Sequence, residues 1–132
     1  MPYEPVESKR VYQRAEAIAD QFWELIMTWE WFAKRTVGLQ LAKAADSIGA
    51  NIAEAGGRFH PGDVRNFFYF ARGSLRETKY WLRRGIQRGL IPPEQGASLD
   101  EALEQLAREI SQCISFQKQR TTQSQPSNHL TT

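Results

Sequence analysis

The chain has 132 residues, 41% hydrophobic and 24% charged, with 17 Lys and Arg against 15 Asp and Glu for a formal net charge of +2. That length suits one domain able to bury a core, and the apolar and charged fractions exclude wholesale disorder. No apolar run approaches the ~20 residues of a bilayer helix and no secretory leader pattern is visible, so a cytoplasmic protein without a membrane partner is expected. A lone cysteine, Cys113, excludes an intramolecular disulfide.

Apolar residues recur at three- and four-residue steps in four stretches, and no alternating strand pattern competes with them. The first covers residues 8–29, with Val11, Ala15, Ile18, Phe22, Leu25, Ile26 and Trp29 on one face. The second covers 36–55, where Val37, Leu41, Ala44, Ala45, Ile48, Ile52 and Ala55 form a small-residue stripe that Gly56-Gly57 ends. The third covers 61–88, opening on Pro61 with Asp63 in its first turn and stopping at Gly89. Pro92-Pro93 should keep the next connection non-helical, and the capping box Ser98-Leu99-Asp100-Glu101 should open a fourth helix over 99–118. Leu99, Leu103, Leu106, Ile110, Cys113 and Ile114 supply its buried stripe. Short connections favour antiparallel neighbours, which predicts an all-α, up-and-down four-helix bundle over residues 8–120. An N-terminal extension, 1–7, precedes it, and a disordered polar tail, 121–132, follows.

The third helix carries more than a core face. Val64, Phe67, Ala71, Leu75, Thr78, Leu82 and Ile86 form the expected core stripe, while Arg65, Arg72, Arg76, Lys79 and Arg83 fall within roughly 60° of one another. Between Asp63 and Arg88 seven basic residues stand against two acidic ones, a net of +5, whereas residues 94–120 sum to −2 and residues 1–35 to −1. Such a stripe can be a solvated face, can pair with acids such as Glu16, Asp20 or Glu24, or can meet phosphates. The like-charge pairs Arg72/Arg76 and Lys79/Arg83, four residues apart, argue against solubility alone. Tyr69, Phe70, Tyr80 and Trp81 flank the stripe, and Tyr12, Trp23 and Met27 lie off the core face of the first helix. Apolar surface on a second side of a helix predicts a second burial partner, most simply another copy of the chain, with base stacking as the alternative.

Catalytic chemistry is hard to assemble from the residues present. His60 and His129 are the two histidines, one before a proline and one in the tail. Arg58 and His60 stand too close for the Arg-then-His pattern of all-helical ribonucleases. No Glu-x-x-His pair offers a di-metal site, Gly56-Gly57 lacks the strand context of a phosphate loop, and Glu101, Glu104 and Glu109 read as a solvated face. Cys113 sits on an apolar stripe, where an inert thiol is expected. No enzyme, metal or cofactor is expected.

Residues 46–75, DSIGANIAEAGGRFHPGDVRNFFYFARGSL, resemble the four-helix-bundle 23S rRNA-intervening-sequence proteins. In that family a second helix ends in a segment like SIPANIAEG, a Gly-Arg pair follows, and the third helix carries an aromatic run and ARGSL. Ser47, Ile48, Ala50, Asn51, Ile52, Ala53, Glu54, Arg58, Ala71, Arg72, Gly73, Ser74 and Leu75 match that pattern. Gly49 replaces a proline, Ala55 a glycine, and His60 a capping Ser or Thr. The resemblance implies an antiparallel bundle assembled as a homo-oligomeric ring, typically a pentamer, with a basic surface. The chain is more distantly similar to the accessory protein of diversity-generating retroelements, a pentamer associated with a reverse transcriptase and its RNA.

Within the motif, Asn51, Glu54, Arg58 and Arg72 are expected to form a structural polar cluster, with nucleic-acid contact as the alternative, and Gly73 to mark a close helix approach. The sequence thus predicts a non-enzymatic oligomer that binds RNA or DNA through Arg65, Arg72, Arg76, Lys79 and Arg83. The alternative is a protein-interaction scaffold or accessory subunit for a nucleic-acid enzyme such as a reverse transcriptase.

Overall fold

A computed structural model of the chain describes residues 9–123, which contain four helices and no strand. Helix α1 is Arg10–Ile26. Helix α2 is composite: a short α segment Trp31–Ala33, a π turn Lys34–Gly38 and a long α segment Leu39–Gly56. Helix α3 is Pro61–Gln87 and α4 is Pro93–Gln123. Consecutive helices pack side by side and α1 closes against α4, so α1 and α3 lie on the diagonal. With connections this short the helices alternate in direction, giving the expected four-helix bundle. No helix among the described residues is long and apolar enough to cross a membrane.

The α2 stripe behaves as its spacing predicts: Val37, Leu41, Ala44, Ala45, Ile48, Ile52 and Ala55 are all buried. On α1, Ala15, Ile18, Phe22 and Ile26 are buried, joined by Ala19 and by Trp29 just beyond the helix end, while Val11 and Leu25 are half-buried at the margin. On α3, Phe68 rather than Phe67 enters the core, and Gly85 rather than Ile86 occupies the last buried turn. Cys113 is half-buried, and burial pushes its thiol above the ordinary value of 9.0, so it stays protonated.

Helix α1 ends at Ile26, short of the expected residue 29, and three further boundaries differ from the sequence reading. Helix α2 starts at Trp31, because the π turn adds a residue to the ladder and breaks the 3.6-residue period that would have revealed it. Helix α4 starts at Pro93, which leaves the Ser98 capping box inside the helix. Proline is disfavoured only where its missing N–H is needed. At the first helical position it is not, and the Gly96 amide donates to the Pro92 carbonyl at 2.9 Å. Helix α4 also continues to Gln123, with the Thr121 hydroxyl donating to the Gln117 carbonyl at 3.0 Å, so the start of the segment expected to be a polar tail is helical. The extension at 1–7 and the remainder of the tail, 124–132, lie outside the described residues.

The turn between α3 and α4 is tightly built. Gly89 closes α3 with φ +76°, and the Leu90 amide donates to the Gly85 carbonyl at 2.9 Å, so the chain turns back at once. Two glycines then let the helices interlock. A Cβ at Gly85 would lie 2.7 Å from Cδ1 of fully buried Ile91, and a Cβ at Gly96 would collide with the side chain of Ile86. Gly73, by contrast, is exposed with nothing within 4 Å of a would-be Cβ, so it marks no close approach within the chain. The two kinds of glycine predict opposite outcomes in urea melts. Gly85→Ala should lower stability by about 1–3 kcal/mol through overpacking, and Gly73→Ala should raise it by about 0.4–1 kcal/mol.

Candidate nucleic-acid interface

The long uninterrupted run of α3 holds Arg65, Arg72, Arg76, Lys79 and Arg83 in one register, and the structure separates them by environment. Arg76 and Arg83 are exposed and have no acidic partner among the described residues. Arg65 and Arg72 are half-buried; the Arg72 guanidinium lies 4.9 Å from the centre of the Tyr69 ring, and that of Arg83 lies 5.7 Å from Tyr80. Lys79 is different. It reaches across to α4, where its ammonium donates to Glu104 and stands 3.4 Å from Asp100.

That ion cluster corrects one expectation: Lys79 spans α3 and α4 instead of presenting a free charge. Glu104 stays exposed on the solvated face, as expected, and is its partner. Glu109 is also engaged, 2.6 Å from Nε of Arg14, so it joins α4 to α1. Burial works against the Lys79 ammonium, but Glu104 and Asp100 outweigh it and raise its pKa above 10.5. The hydrogen bond from Lys79, and then its charge, hold the Glu104 carboxyl below 4.5. The acids named as possible partners, Glu16, Asp20 and Glu24, belong to α1 on the diagonal and do not meet the stripe. Glu16 and Asp20 line a groove between α1 and α2 with Asp46, whose carboxyl is raised above 3.8 by burial and then by Asp20.

Beside the stripe, α3 and the first turns of α4 enclose a cleft of about 610 Å³. Arg76, Lys79, Tyr80 and Arg83 line one side, Asp100 and Ala97 the other, with buried Leu82 and Gly96 between them. A sequence reading could find the three cations but not the cleft, because α4 was expected to start only after Pro93 and Gly96.

The aromatic flank divides as well. Trp23, Met27, Phe70 and Tyr80 are exposed, from 46 to 57%. Tyr12, Tyr69 and Trp81, expected beside them as interface residues, are half-buried against the chain's own core. The Tyr12 hydroxyl donates to Glu16 at 2.9 Å. Since α1 and α3 are diagonal, the exposed residues belong to separate sides of the bundle. Trp31, Phe32 and Phe59 are exposed too, and the sequence reading did not single them out as a surface.

In the polar cluster, Arg58 pairs with Glu54 at 3.1 Å as expected, and its guanidinium also covers the Phe67 ring at 4.6 Å. Arg72 takes no part, because its own-helix neighbour Tyr69 holds it instead. The contact that crosses from α2 to α3 is the Ser47–Ser74 hydroxyl pair at 2.8 Å, with the Asn51 amide donating back to the Ser47 carbonyl at 2.9 Å.

The Lys79 cluster has a pH signature. Because Glu104 ionises more readily folded than unfolded, its stabilisation is present above pH 4.5 and disappears as pH falls through the lowered value. Glu104→Gln should therefore lose less stability than the parent on acidification below that point. Chemical denaturation of parent and variant across pH measures the difference.

Among solved structures, the chain is similar to a protein of unknown function from the S23 ribosomal protein family of Bacteroides thetaiotaomicron, at 25% identity and a TM-score of 0.71. The likeness covers 79% of this chain and 97% of that one. No curated protein matches the sequence. The family model described as 23S rRNA-intervening sequence protein matches residues 7–112. That match takes in α1 to α3 and the greater part of α4, including the Ser47–Ser74 contact and the arginine stripe, and the chain belongs to this family.

Proposed function

We propose that this protein is a non-enzymatic, cytoplasmic helical bundle that assembles with copies of itself and binds RNA or DNA through the arginine stripe of α3. The observation that carries the reading is the exposure of Arg76 and Arg83 on one helix face with neither in an ion pair among the described residues. Uncompensated cations four or more residues apart repel one another, and a phosphate backbone relieves that repulsion while releasing counterions. Arg65 and Arg72 extend the same line toward the start of α3. Lys79 contributes by fixing α4 against the stripe rather than by binding. In a ring, pentameric by the family resemblance, several stripes act on one polymer and weak contacts multiply.

The exposed Trp23, Met27 and Phe70 support assembly, since apolar surface on two sides of a bundle suits head-to-tail contacts between copies. Trp31 and Phe32, 68 and 63% exposed where α2 begins, favour a second role as an accessory subunit docking a nucleic-acid enzyme such as a reverse transcriptase.

Fluorescence anisotropy with structured RNA and duplex DNA, together with light scattering after size exclusion, tests the reading. Binding should be largely sequence-independent and weaken steeply with salt, and the Arg76→Ala/Arg83→Ala double variant should reduce the log–log salt slope by about 2. Absence of binding at low salt rejects the nucleic-acid reading. A clean monomer rejects the assembly.

A further inference from the structure

The cleft between α3 and α4 has a composition that backbone binding alone does not require. A phosphate stripe needs cations, yet this site adds an exposed aromatic ring, an apolar interior and an acceptor. Its volume of about 610 Å³ lies within the ~300–1,000 Å³ typical of small-ligand sites and is ample for one flat heterocycle. Tyr80 lines it and is 46% exposed, with the Trp81 ring packed against it edge-on at 5.0 Å and 85°. That contact braces the phenol at little entropic cost. Leu82 and Ile86 supply apolar surface, and Gly96 and Ala97 keep the α4 wall thin. Asp100 also faces the cleft, where its carboxylate accepts from the amino or imino edge of a base. Arg76 and Arg83, one turn before and one turn after Lys79, flank this space with no ion pair among the described residues, and the Arg83 guanidinium, 5.7 Å from the centre of the Tyr80 ring, yields that ring to a base when it turns to a phosphate.

We infer that the α3–α4 cleft is a nucleotide pocket that takes one unpaired base against Tyr80 while Arg76 and Arg83 hold the phosphates on either side of it. The inference rests on the proposed nucleic-acid binding and narrows it to single-stranded or looped segments. A base inside a duplex is stacked and paired, and its ring is not available to Tyr80. The stripe still attracts duplex through charge, so the pocket adds a preference rather than replacing the electrostatic term. The chemistry recognised, an unpaired base between two phosphates, is common to RNA and DNA.

The test uses the full-length chain, a short labelled single-stranded RNA, the single-stranded DNA of the same sequence, and the fully paired RNA duplex. Tyr80→Ala should weaken single-strand binding by roughly 5- to 150-fold, the range found when a stacking aromatic is removed, and leave duplex binding near the parental value. Tyr80→Phe, which keeps the ring, should retain single-strand affinity. Ala97→Trp, which fills the cleft without changing charge, should reproduce the Tyr80→Ala pattern and serves if that variant folds poorly. Equal loss on RNA and DNA single strands places recognition on base and phosphate; greater loss on RNA adds a 2′-hydroxyl contact, and either supports the pocket. If the parent binds both single strand and duplex but Tyr80→Ala and Ala97→Trp change neither, or change both equally, the pocket is wrong and the stripe stands. If the parent binds nothing at low salt, the stripe and the pocket fall together.

Discussion

The bundle depends on how closely α3 and α4 approach at their turn. Ile91 in the turn lies against the place a Cβ at Gly85 would take, and Ile86 of α3 against the one at Gly96 of α4, so turn and helix fill the two missing Cβ positions. A glycine within a helix costs about 1 kcal/mol relative to alanine, and here the interlock of two isoleucines offsets it. The consequence reaches beyond the turn. With α4 held at this spacing, Asp100 and Glu104 come to the level of Lys79, and the ammonium closes on both. The same spacing leaves the walls of the cleft apart just where Tyr80, Arg76 and Arg83 project.

Electrostatics then follows topology. Because α1 and α3 are diagonal, Glu16 and Asp20 of α1 lie beside Asp46 on the α1–α2 side, where burial first and the charge of Asp20 second raise the Asp46 carboxyl. Arg76 and Arg83 of α3 are left on the α3–α4 side, beside a Lys79 neutralised by Glu104 and Asp100. A protein nearly neutral in total thus separates its charge across the width of the bundle. That separation matters for association with a polyanion, where the local field and not the net charge steers encounter.

The fold was largely legible because its signals are local. The spacing on α2 identified seven buried positions from Val37 to Ala55 and missed only the buried glycines Gly38 and Gly49, and Gly89 ended α3 with the positive φ its placement suggested. The misreadings share a cause: each concerned a choice that local pattern leaves degenerate. In Phe67-Phe68-Tyr69-Phe70 either of the first two residues is one turn from Val64 and from Ala71, and packing against α2 and α4 selected Phe68. Pro93 can stop or open a helix, and the connection to Ile91 made it an opening. The π turn erased the periodicity of Trp31–Ala33 altogether. At the candidate site, the arginines were visible as a stripe, but Lys79 looked like any other member, because its partners lie on α4, 21 and 25 residues further along the chain.

By itself the sequence determined the class of the fold, the core stripes of its helices, the concentration of positive charge on one helix, and membership of a family through the segments around Ser47 and Arg72. Those properties are set by spacing along one helix or by residue identity, and both are written linearly. The tertiary structure alone decided which cations remain free, which aromatics stay at the surface, and that a cleft exists at all. These depend on where a second helix lies, and that was settled by two glycines whose missing side chains left room for Ile86 and Ile91.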